Sequence, residues 1–342
     1  MRSVVIPRHG PPEVLEVAER PDPPVGAGQV RIAVRAAGVN FADLLARSGV
    51  YPGAPSPPCV VGYEVAGEVD EVGSGADGFA PGDRVIAATR FGGYSELVTV
   101  PTSQAIPLLG QLSFEQGAAV PLNYGAAIAG LVLMAGARVG ERVLIHAAAG
   151  GVGIAATQIA RGLGAEIFGT ASAAKHNAIR AQGVDHPIDY RTRDFETEIR
   201  AITGGEGIDV ALDALGPRSF RKDYRLLRAG GRLVMYGYSE SESAGGRNLA
   251  ALAGTLARMP FATVPWWRSL AMMNENKGVF GLNLLRWWDR EGLERLVAPI
   301  QAGLSAGAFK PVIAEAFPFA RAADAHRLIA ERRNVGKVVL VP

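Results

Sequence analysis

Residues 140–161, GERVLIHAAAGGVGIAATQIAR, decide the fold. The short apolar run RVLIHA reads as a strand, and the stretch from Val152 to Leu163 reads as a helix. Between them the backbone must turn tightly, and Gly150, Gly151 and Gly153 supply small, conformationally free positions for that turn. A helix beginning there aims its free N–H groups at whatever lies in front of the loop, which suits a diphosphate. A glycine turn can also serve only to pack a helix against a strand. Here the motif stands between a clear strand and a clear helix at the head of a β-α series, as dinucleotide binding requires.

Outward from this loop, strands and helices alternate as far as Tyr238. After RVLIHA and its helix come EIFGT, a helix over Ala173 to Gln182, HPIDY, a helix over Phe195 to Thr203, IDVALDA, a helix over Phe220 to Leu227, and GRLVMYG. Short apolar strands with brief connections predict a doubly wound parallel sheet whose ligand crevice lies at the strands' carboxyl ends. Residues 1–120 differ. Runs such as QVRIAVRAAGV, YEVAGEVDEV and DRVIAAT between Gly and Pro clusters suit a barrel-like β domain. SFEQGAAVPLNYGAAIAGLVLMAG then reads as small-residue helix packing. Near the end come a helix over Leu293 to Ala302, a strand near KPVIAEAF, a helix over Ala320 to Arg332, and the apolar strand GKVVLVP, which is expected to pair back into the first domain. The expected domains are therefore 1–122 with 286–342, and 123–285.

Composition narrows the function. The chain has 342 residues, 48% of them hydrophobic and 20% charged, enough for two packed domains of a soluble globular protein. With 35 basic and 33 acidic residues the net charge is only +2, and no basic stripe speaks for nucleic acid. The single cysteine, Cys59, rules out an intramolecular disulfide and a cysteine-rich metal knuckle, and fits a reducing compartment. Pro7 cuts short the first apolar stretch, so no signal peptide is read. No uninterrupted apolar run reaches the roughly 18 residues that span a bilayer. The expected location is the cytoplasm, with surface attachment open.

Cofactor choice is read at the end of the second strand of the parallel series, where NAD sites place an acidic residue on the ribose hydroxyls. FGTASAAKH stands there instead. Thr170, Ser172 and Lys175 suit a 2′-phosphate, which a carboxylate would repel, so NADPH is expected. Lys175 can also be read as a solvated helix residue. Tyr190, after the third strand, offers a flat surface for adenine.

Residues 140–161 resemble the signature of the quinone oxidoreductases of the medium-chain dehydrogenase/reductase superfamily. AAGVNFADLLARSGVYPG, GYEVAGEVDEVGSG and GFAPGDRV resemble that family's N-terminal domain in the same order, and the likeness runs over essentially the whole chain. GTASAAKHNAIRAQGVDHPIDY and NVGKVVLVP resemble, more narrowly, the branch of the vesicle amine transport protein homologues. The resemblance implies an α/β fold: a GroES-like β-barrel catalytic domain followed by a Rossmann domain with a doubly wound parallel sheet.

The resemblance also implies site residues. Catalytic zinc in the superfamily needs Cys, Asp or His ligands where this chain has Asn40, Tyr63 and Asn123, and Asn and Tyr are poor zinc ligands, so no metal is expected. Without zinc, an enolate formed by hydride addition needs hydrogen-bond donors at its oxygen and a proton source at carbon. The catalytic candidates are Asn40, expected to face the nicotinamide, Asp43, which can be read as an anchor of the loop or as part of the chemistry, and Tyr51, which matches the proton donor of related enoyl reductases. A phenol with a pKa of about 10 can donate at neutral pH but cannot rest as a base. Tyr51 can also be read as a loop aromatic beside proline. Cofactor contacts are expected from Asn40, Asn123, Ala149, Gly150, Gly151, Val152, Gly153, Gly237, Tyr238, Phe280, Gly281, Leu282 and Asn334, with GVFGLNL as the edge strand of a homodimer. Relatives often carry Thr where Ala126 stands, so one ribose contact is expected to be absent or replaced. His146, His176, His186 and His326 show no metal or triad spacing and are expected to be structural or exposed.

All four tryptophans, Trp266, Trp267, Trp287 and Trp288, fall between Arg247 and Arg290 among Met and Leu. That segment can be core and dimer packing, the wall of a pocket for a bulky apolar substrate, or an anchor on a membrane surface. The activity these features imply is NADPH-dependent, zinc-free reduction of a quinone or of the double bond of an α,β-unsaturated carbonyl compound. The alternatives are an enoyl reductase tailoring polyketide or acyl intermediates, and a non-catalytic NADPH-binding protein of membrane trafficking or lipid handling.

Overall fold

In the computed structural model the described residues are 1–239, 269–287 and 294–342. They fall into two units, one of 1–122, 285–287 and 294–342, the other of 123–239 and 269–284. Trp266, Trp267 and Trp288 lie outside the described residues, and Trp287 is half-buried.

In the first unit β1 (Arg2–Val5) pairs antiparallel with β2 (Glu16–Glu19). The larger sheet is organised by β3 (Gln29–Val39), whose burial alternates over its first half as a one-face-buried strand must. The chain then enters α1 (Phe41–Arg47) before β4 (Glu64–Val72), β5 (Arg84–Ala88), β6 (Leu97–Pro101) and β7 (Ala105–Pro107). β3 pairs antiparallel with β4 and β6, and β5 with β4 and β7. Val30, Ile32, Val65 and Val85, each 0% exposed, belong to its core.

A Ser113/Gln116 capping box starts α2 (Phe114–Gly117), α3 (Pro121–Ala127) follows, and a π-helical stretch covers Ile128–Met134. By length and composition Phe114–Met134 could cross a membrane, but 78% of its apolar window is buried inside the protein, as in a core helix.

The second unit holds β8 (Arg142–Ile145), α4 (Gly151–Gly162), β9 (Glu166–Ala171), α5 (His176–Gln182), β10 (His186–Asp189), α6 (Phe195–Ile202), β11 (Ile208–Asp213), α7 (Pro217–Leu226), β12 (Leu227–Met235), α8 (Ser269–Glu275) and β13 (Gly278–Gly281). The six strands lie in the order β10-β9-β8-β11-β12-β13, and every pairing is parallel. Covered on both faces, they are apolar almost throughout, and β11 is buried at all six positions. The order reverses between β8 and β11, so the crevice beyond their carboxyl ends is the place for a ligand. Several boundaries depart from the periodicity. The helix expected at Phe220 begins at Pro217, because proline is suited to a helix's first turn, and Leu227 opens β12 instead of closing the helix. β12 also stops at Met235, which leaves Gly237 and Tyr238 in the loop beyond it.

The chain ends with α9 (Glu294–Ser305), β14 (Ile313–Pro318), α10 (Ala322–Ala330) and β15 (Lys337–Val341). β15 pairs antiparallel with β3, Val338 opposite Val39 and Leu340 opposite Ala37, and parallel with β14.

Candidate active site

The loop between β8 and α4 is shaped by contacts that only glycine permits. Gly150 donates its N–H to the Ala147 carbonyl at 2.8 Å and caps α4 without a side-chain acceptor. A Cβ on Gly153 would lie 2.4 Å from that carbonyl oxygen and 2.7 Å from Ala148 Cα, while one on Gly151 would meet the Asn123 amide at 2.6 Å. Asn123 is thus packed, 4% exposed, against the first turn of α4. Ala149 is buried and Val152 half-buried. The first N–H groups of α4, which no turn of helix precedes, face out from this cradle, and a dinucleotide diphosphate fits it.

Ser172, the residue after β9, starts the short turn Ala173–Lys175, and Lys175 at its end is half-buried. On the adjacent strand end Tyr190 is 38% exposed. Asp189, opposite Ala171 across the ladder, also stands there. Its carboxylate accepts the Arg191 N–H at 3.1 Å and the Thr192 hydroxyl at 3.0 Å, and these bonds hold its pKa below the usual range.

Thr170 does not serve the expected role. It is 1% exposed, and its hydroxyl is spent on His146 Nδ1 at 3.0 Å and the Ala147 N–H at 3.3 Å. These bonds tie β9 to the start of the glycine loop and leave the hydroxyl no free reach to a phosphate. Ser172 and Lys175 stay as the candidates for that task.

His146 also departs from expectation, because with Asp213 and Asp223 it forms a fully buried group with metal-ligand spacing among the described residues. His146 Nε2 lies 2.9 Å from Asp223 Oδ1. Burial, and then the charge of Asp223, push the Asp213 carboxyl well above its ordinary pKa, so Asp213 keeps a proton. That proton balances the charge of the group, which fastens β8, β9, β11 and α7 together.

In the first unit the N-terminus of α1 carries the second set of candidates. Asn40 caps the helix and Asp43 returns a bond to the Asn40 N–H at 2.7 Å. Asp43 is 0% exposed and also accepts from Gly62 N–H at 3.0 Å and Tyr94 Oη at 3.0 Å. With both carboxylate oxygens held by these donors, Asp43 is a loop anchor and not a group left to meet a substrate, so its catalytic candidacy is corrected. A relay supports it from below. Arg47 Nη1 donates to His326 Nδ1 at 3.0 Å, His326 Nε2 lies 3.4 Å from Tyr94 Oη, and Tyr94 donates to Asp43. Burial first, and then the Arg47 charge, lower the His326 pKa well below its usual value, so the ring is neutral and orders the relay.

Burial pushes the Asp43 pKa up to about 7, well above the ordinary carboxylate range, against its three hydrogen bonds. Because the folded value is the raised one, the stability tied to this group is fully present below about pH 4 and is lost as pH rises to about 7. Thermal midpoints measured across that range should show this downward contribution in the wild type and not in Asp43→Asn. An unchanged slope in the variant would remove Asp43 as its source.

Asn40 is more constrained than the sequence implies. Its Nδ2 donates to Glu64 Oε1 at 3.1 Å and its Oδ1 accepts from Lys337 Nζ at 2.5 Å. Lys337 also binds Glu64, and the pair is 3% and 0% exposed. Glu64 Oε2 accepts the Leu122 N–H at 2.8 Å. Neither Lys337 nor Glu64 was a sequence candidate; the available signal was a lysine heading an apolar strand and a glutamate inside one.

Catalytic zinc does not fit here. Asn40 and Tyr63 are weak donors, Glu64 and the Asn40 oxygen already hold an ammonium, and a dication beside Lys337 would be repelled.

Tyr51 is half-buried, and burial followed by the Asp43 charge pushes its pKa up to about 12. Its ring stands 6.2 Å from that of Tyr63, which stands 5.3 Å from Phe91.

Of the remaining candidates, Leu282 is 7% exposed and donates its N–H to the Met235 carbonyl at 2.8 Å, which fixes the end of β13 to the end of β12. Phe280 and Gly281 are exposed on β13. Tyr238 is 41% exposed with its ring edge-on to Phe220 at 6.2 Å, and Gly237 packs on the Ala214 backbone. Asn334 donates to the Gly336 carbonyl at 2.8 Å and so braces the turn into β15.

Two family descriptions match the chain. Residues 26–110 match the alcohol dehydrogenase GroES-like domain, and residues 182–340 match the family described as zinc-binding dehydrogenase. The chain is 39% identical over 352 aligned positions to the synaptic vesicle membrane protein VAT-1 homolog of Rattus norvegicus, covering 100% of this chain and 84% of that one. The Escherichia coli quinone oxidoreductase complexed with NADPH is 30% identical with a TM-score of 0.82, covering 100% of both chains. The CurK enoyl reductase is 28% identical with a TM-score of 0.85, covering 99% of this chain and 98% of that one.

Proposed function

Because the chain belongs to the medium-chain dehydrogenase/reductase superfamily and is an oxidoreductase of it, we propose that it is a zinc-independent, NADPH-dependent reductase of quinones or of the C=C bond of α,β-unsaturated carbonyl compounds. The observation that carries this reading is the glycine cradle at Ala147–Gly153, with Ser172 and Lys175 at the neighbouring strand end. When bound, the nicotinamide cofactor supplies hydride. The residues of the chain do the rest. The α4 N–H groups hold the diphosphate, Lys175 and Ser172 take the 2′-phosphate, and Tyr190 flanks the adenine. Gly237, Tyr238 and the backbone of Phe280–Leu282 hold the nicotinamide end. Tyr51, a phenol that stays protonated at neutral pH, delivers the proton.

Relatives of the chain include a quinone oxidoreductase, an enoyl reductase and a vesicle membrane protein, and they frame the alternatives. A small hydrophobic carbonyl compound in the cytoplasm is the substrate setting we favour. The outer edge of β13 is the surface we assign to a second copy.

The test follows NADPH oxidation against simple quinones and then against enones of increasing bulk, with Lys175→Ala alongside. Losing a charged hydrogen bond worth about 1.5–3 kcal/mol should raise the KM for NADPH by roughly 10-fold or more and leave that for NADH little changed. Equal effects on the two cofactors would take Lys175 out of the phosphate site. NADPH binding without turnover on any acceptor, together with tight binding to liposomes, would favour the trafficking reading.

A further inference from the structure

Tyr63 is 0% exposed, and its hydroxyl has no hydrogen-bond partner among the described residues. Buried polar groups are nearly always paired, so an orphaned phenol calls for a reason. Phenylalanine would fill the same space without leaving a donor unsatisfied. The hydroxyl cannot readily be satisfied by adjustment of the chain, because the backbone around it is tied on every side. The Gly62 N–H goes to Asp43 at 3.0 Å, the Tyr63 carbonyl accepts the Thr89 N–H at 2.7 Å, and Glu64 is held by Lys337, Asn40 and Leu122.

What surrounds the phenol is flat and apolar. The Tyr51 ring is tilted 59° to it and the Phe91 ring 55°, and both rings belong to half-buried residues. Burial, and then the charge of Asp43, raise the Tyr63 pKa far above the ordinary phenol value, so the group is a permanent donor at neutral pH.

We propose that the Tyr63 hydroxyl donates a hydrogen bond to the carbonyl oxygen of the acceptor, and that the acceptor is a planar cyclic enone or quinone lying against the Tyr51 and Phe91 rings. This rests on the reductase reading and assigns the part of it that zinc would perform elsewhere. The β-carbon of an enone gains hydride from NADPH, which is oxidised to NADP⁺. The π pair of the C=C bond moves toward the oxygen held by Tyr63, giving an enolate. The Tyr51 proton then bonds to the α-carbon as the C=O bond re-forms, and the Tyr51 phenolate recovers a proton from water. Tyr63 serves the oxygen and Tyr51 the carbon.

The experiment compares wild type, Tyr63→Phe and Tyr51→Phe with NADPH and 2-cyclohexen-1-one, measuring kcat, KM, enone binding and thermal midpoint. Tyr63→Phe should lower kcat/KM by about 100- to 1,000-fold, the loss typical of one oxyanion donor. It should also weaken binding of the enone, leave NADPH binding unchanged, and keep or raise the thermal midpoint, because the deleted hydroxyl strands no partner. Tyr51→Phe should lower kcat with little change in enone binding. Wild-type turnover matched within about twofold by Tyr63→Phe would overturn the inference alone. A fall in the thermal midpoint of Tyr63→Phe would place the hydroxyl in the fold's own bonding and overturn it too. A wild type that binds NADPH but neither binds nor reduces cyclohexenone or benzoquinone would overturn the reductase reading and this inference with it.

Discussion

Lys337→Met should cost about 3–5 kcal/mol of folding stability, the range for breaking a buried ion pair by removing one partner. Lys337 is 3% exposed and Glu64 0%. Removing the ammonium leaves the Glu64 carboxylate inside the protein with only the Leu122 N–H at 2.8 Å and the Asn40 amide at 3.1 Å. Those two bonds do not neutralise a charge in a poorly polarisable interior. The double variant Lys337→Met/Glu64→Gln should recover much of the loss, since the penalty lies in the stranded charge more than in the missing attraction. Urea unfolding of wild type, Lys337→Met, Glu64→Gln and the double variant measures this coupling. A loss below about 1 kcal/mol in the single variant, as at an exposed pair, would mean that water reaches the site. Asn40 should lose its orientation in the same variant, because its oxygen faces the lysine at 2.5 Å.

The second large effect concerns the cofactor loop. Gly153→Ala should weaken NADPH by about 100-fold, or close to 2.7 kcal/mol, with the fold retained. The new methyl would meet the Ala147 carbonyl oxygen at 2.4 Å and the Ala148 Cα at 2.7 Å, and backbone atoms cannot swing aside as a side-chain tip can. Ala147 already has a positive φ of 50°, and its carbonyl closes the turn with Gly150 at 2.8 Å. Relief therefore has to come from moving the loop off the end of β8. Gly162→Ala, at the far end of the same helix, provides the contrast: its added methyl meets nothing within 4 Å, and alanine favours a helix more than glycine does. Titration calorimetry with NADPH on both variants decides the matter. Binding by Gly153→Ala within about tenfold of wild type would show that the loop can yield and that the cradle is not built on this contact.

Residues 140–161 carried the strand, the glycine turn and the helix because each depends on neighbours a few positions away: apolar periodicity, a missing Cβ, and N–H groups left free at a helix start. The parallel sheet was legible for a similar reason, since strands buried on both faces must be apolar throughout. The absence of good zinc ligands could also be read directly, from Asn40 and Tyr63 standing where thiolate or imidazole would be needed.

What the linear pattern left open was the direction and company of particular side chains. Thr170 looked like a ligand by its place at a strand end, but its hydroxyl is bonded to His146 at 3.0 Å on the buried face of the sheet. Asp43 looked like part of the chemistry, yet α1 buries it over a relay from Tyr94, which is 51 residues away, and from His326, which is 232 residues beyond Tyr94. Lys337 meets Glu64 across 273 residues only because β15 returns to β3 in one register, and a slip of one residue would turn that lysine to the opposite face. Local sterics and hydrogen bonding, which act over a few residues, determined the loop and the sheet. The partners of the buried charges and of the Tyr63 hydroxyl were decided by tertiary structure, because only the packed chain fixes which distant groups share an interior with no water to satisfy them.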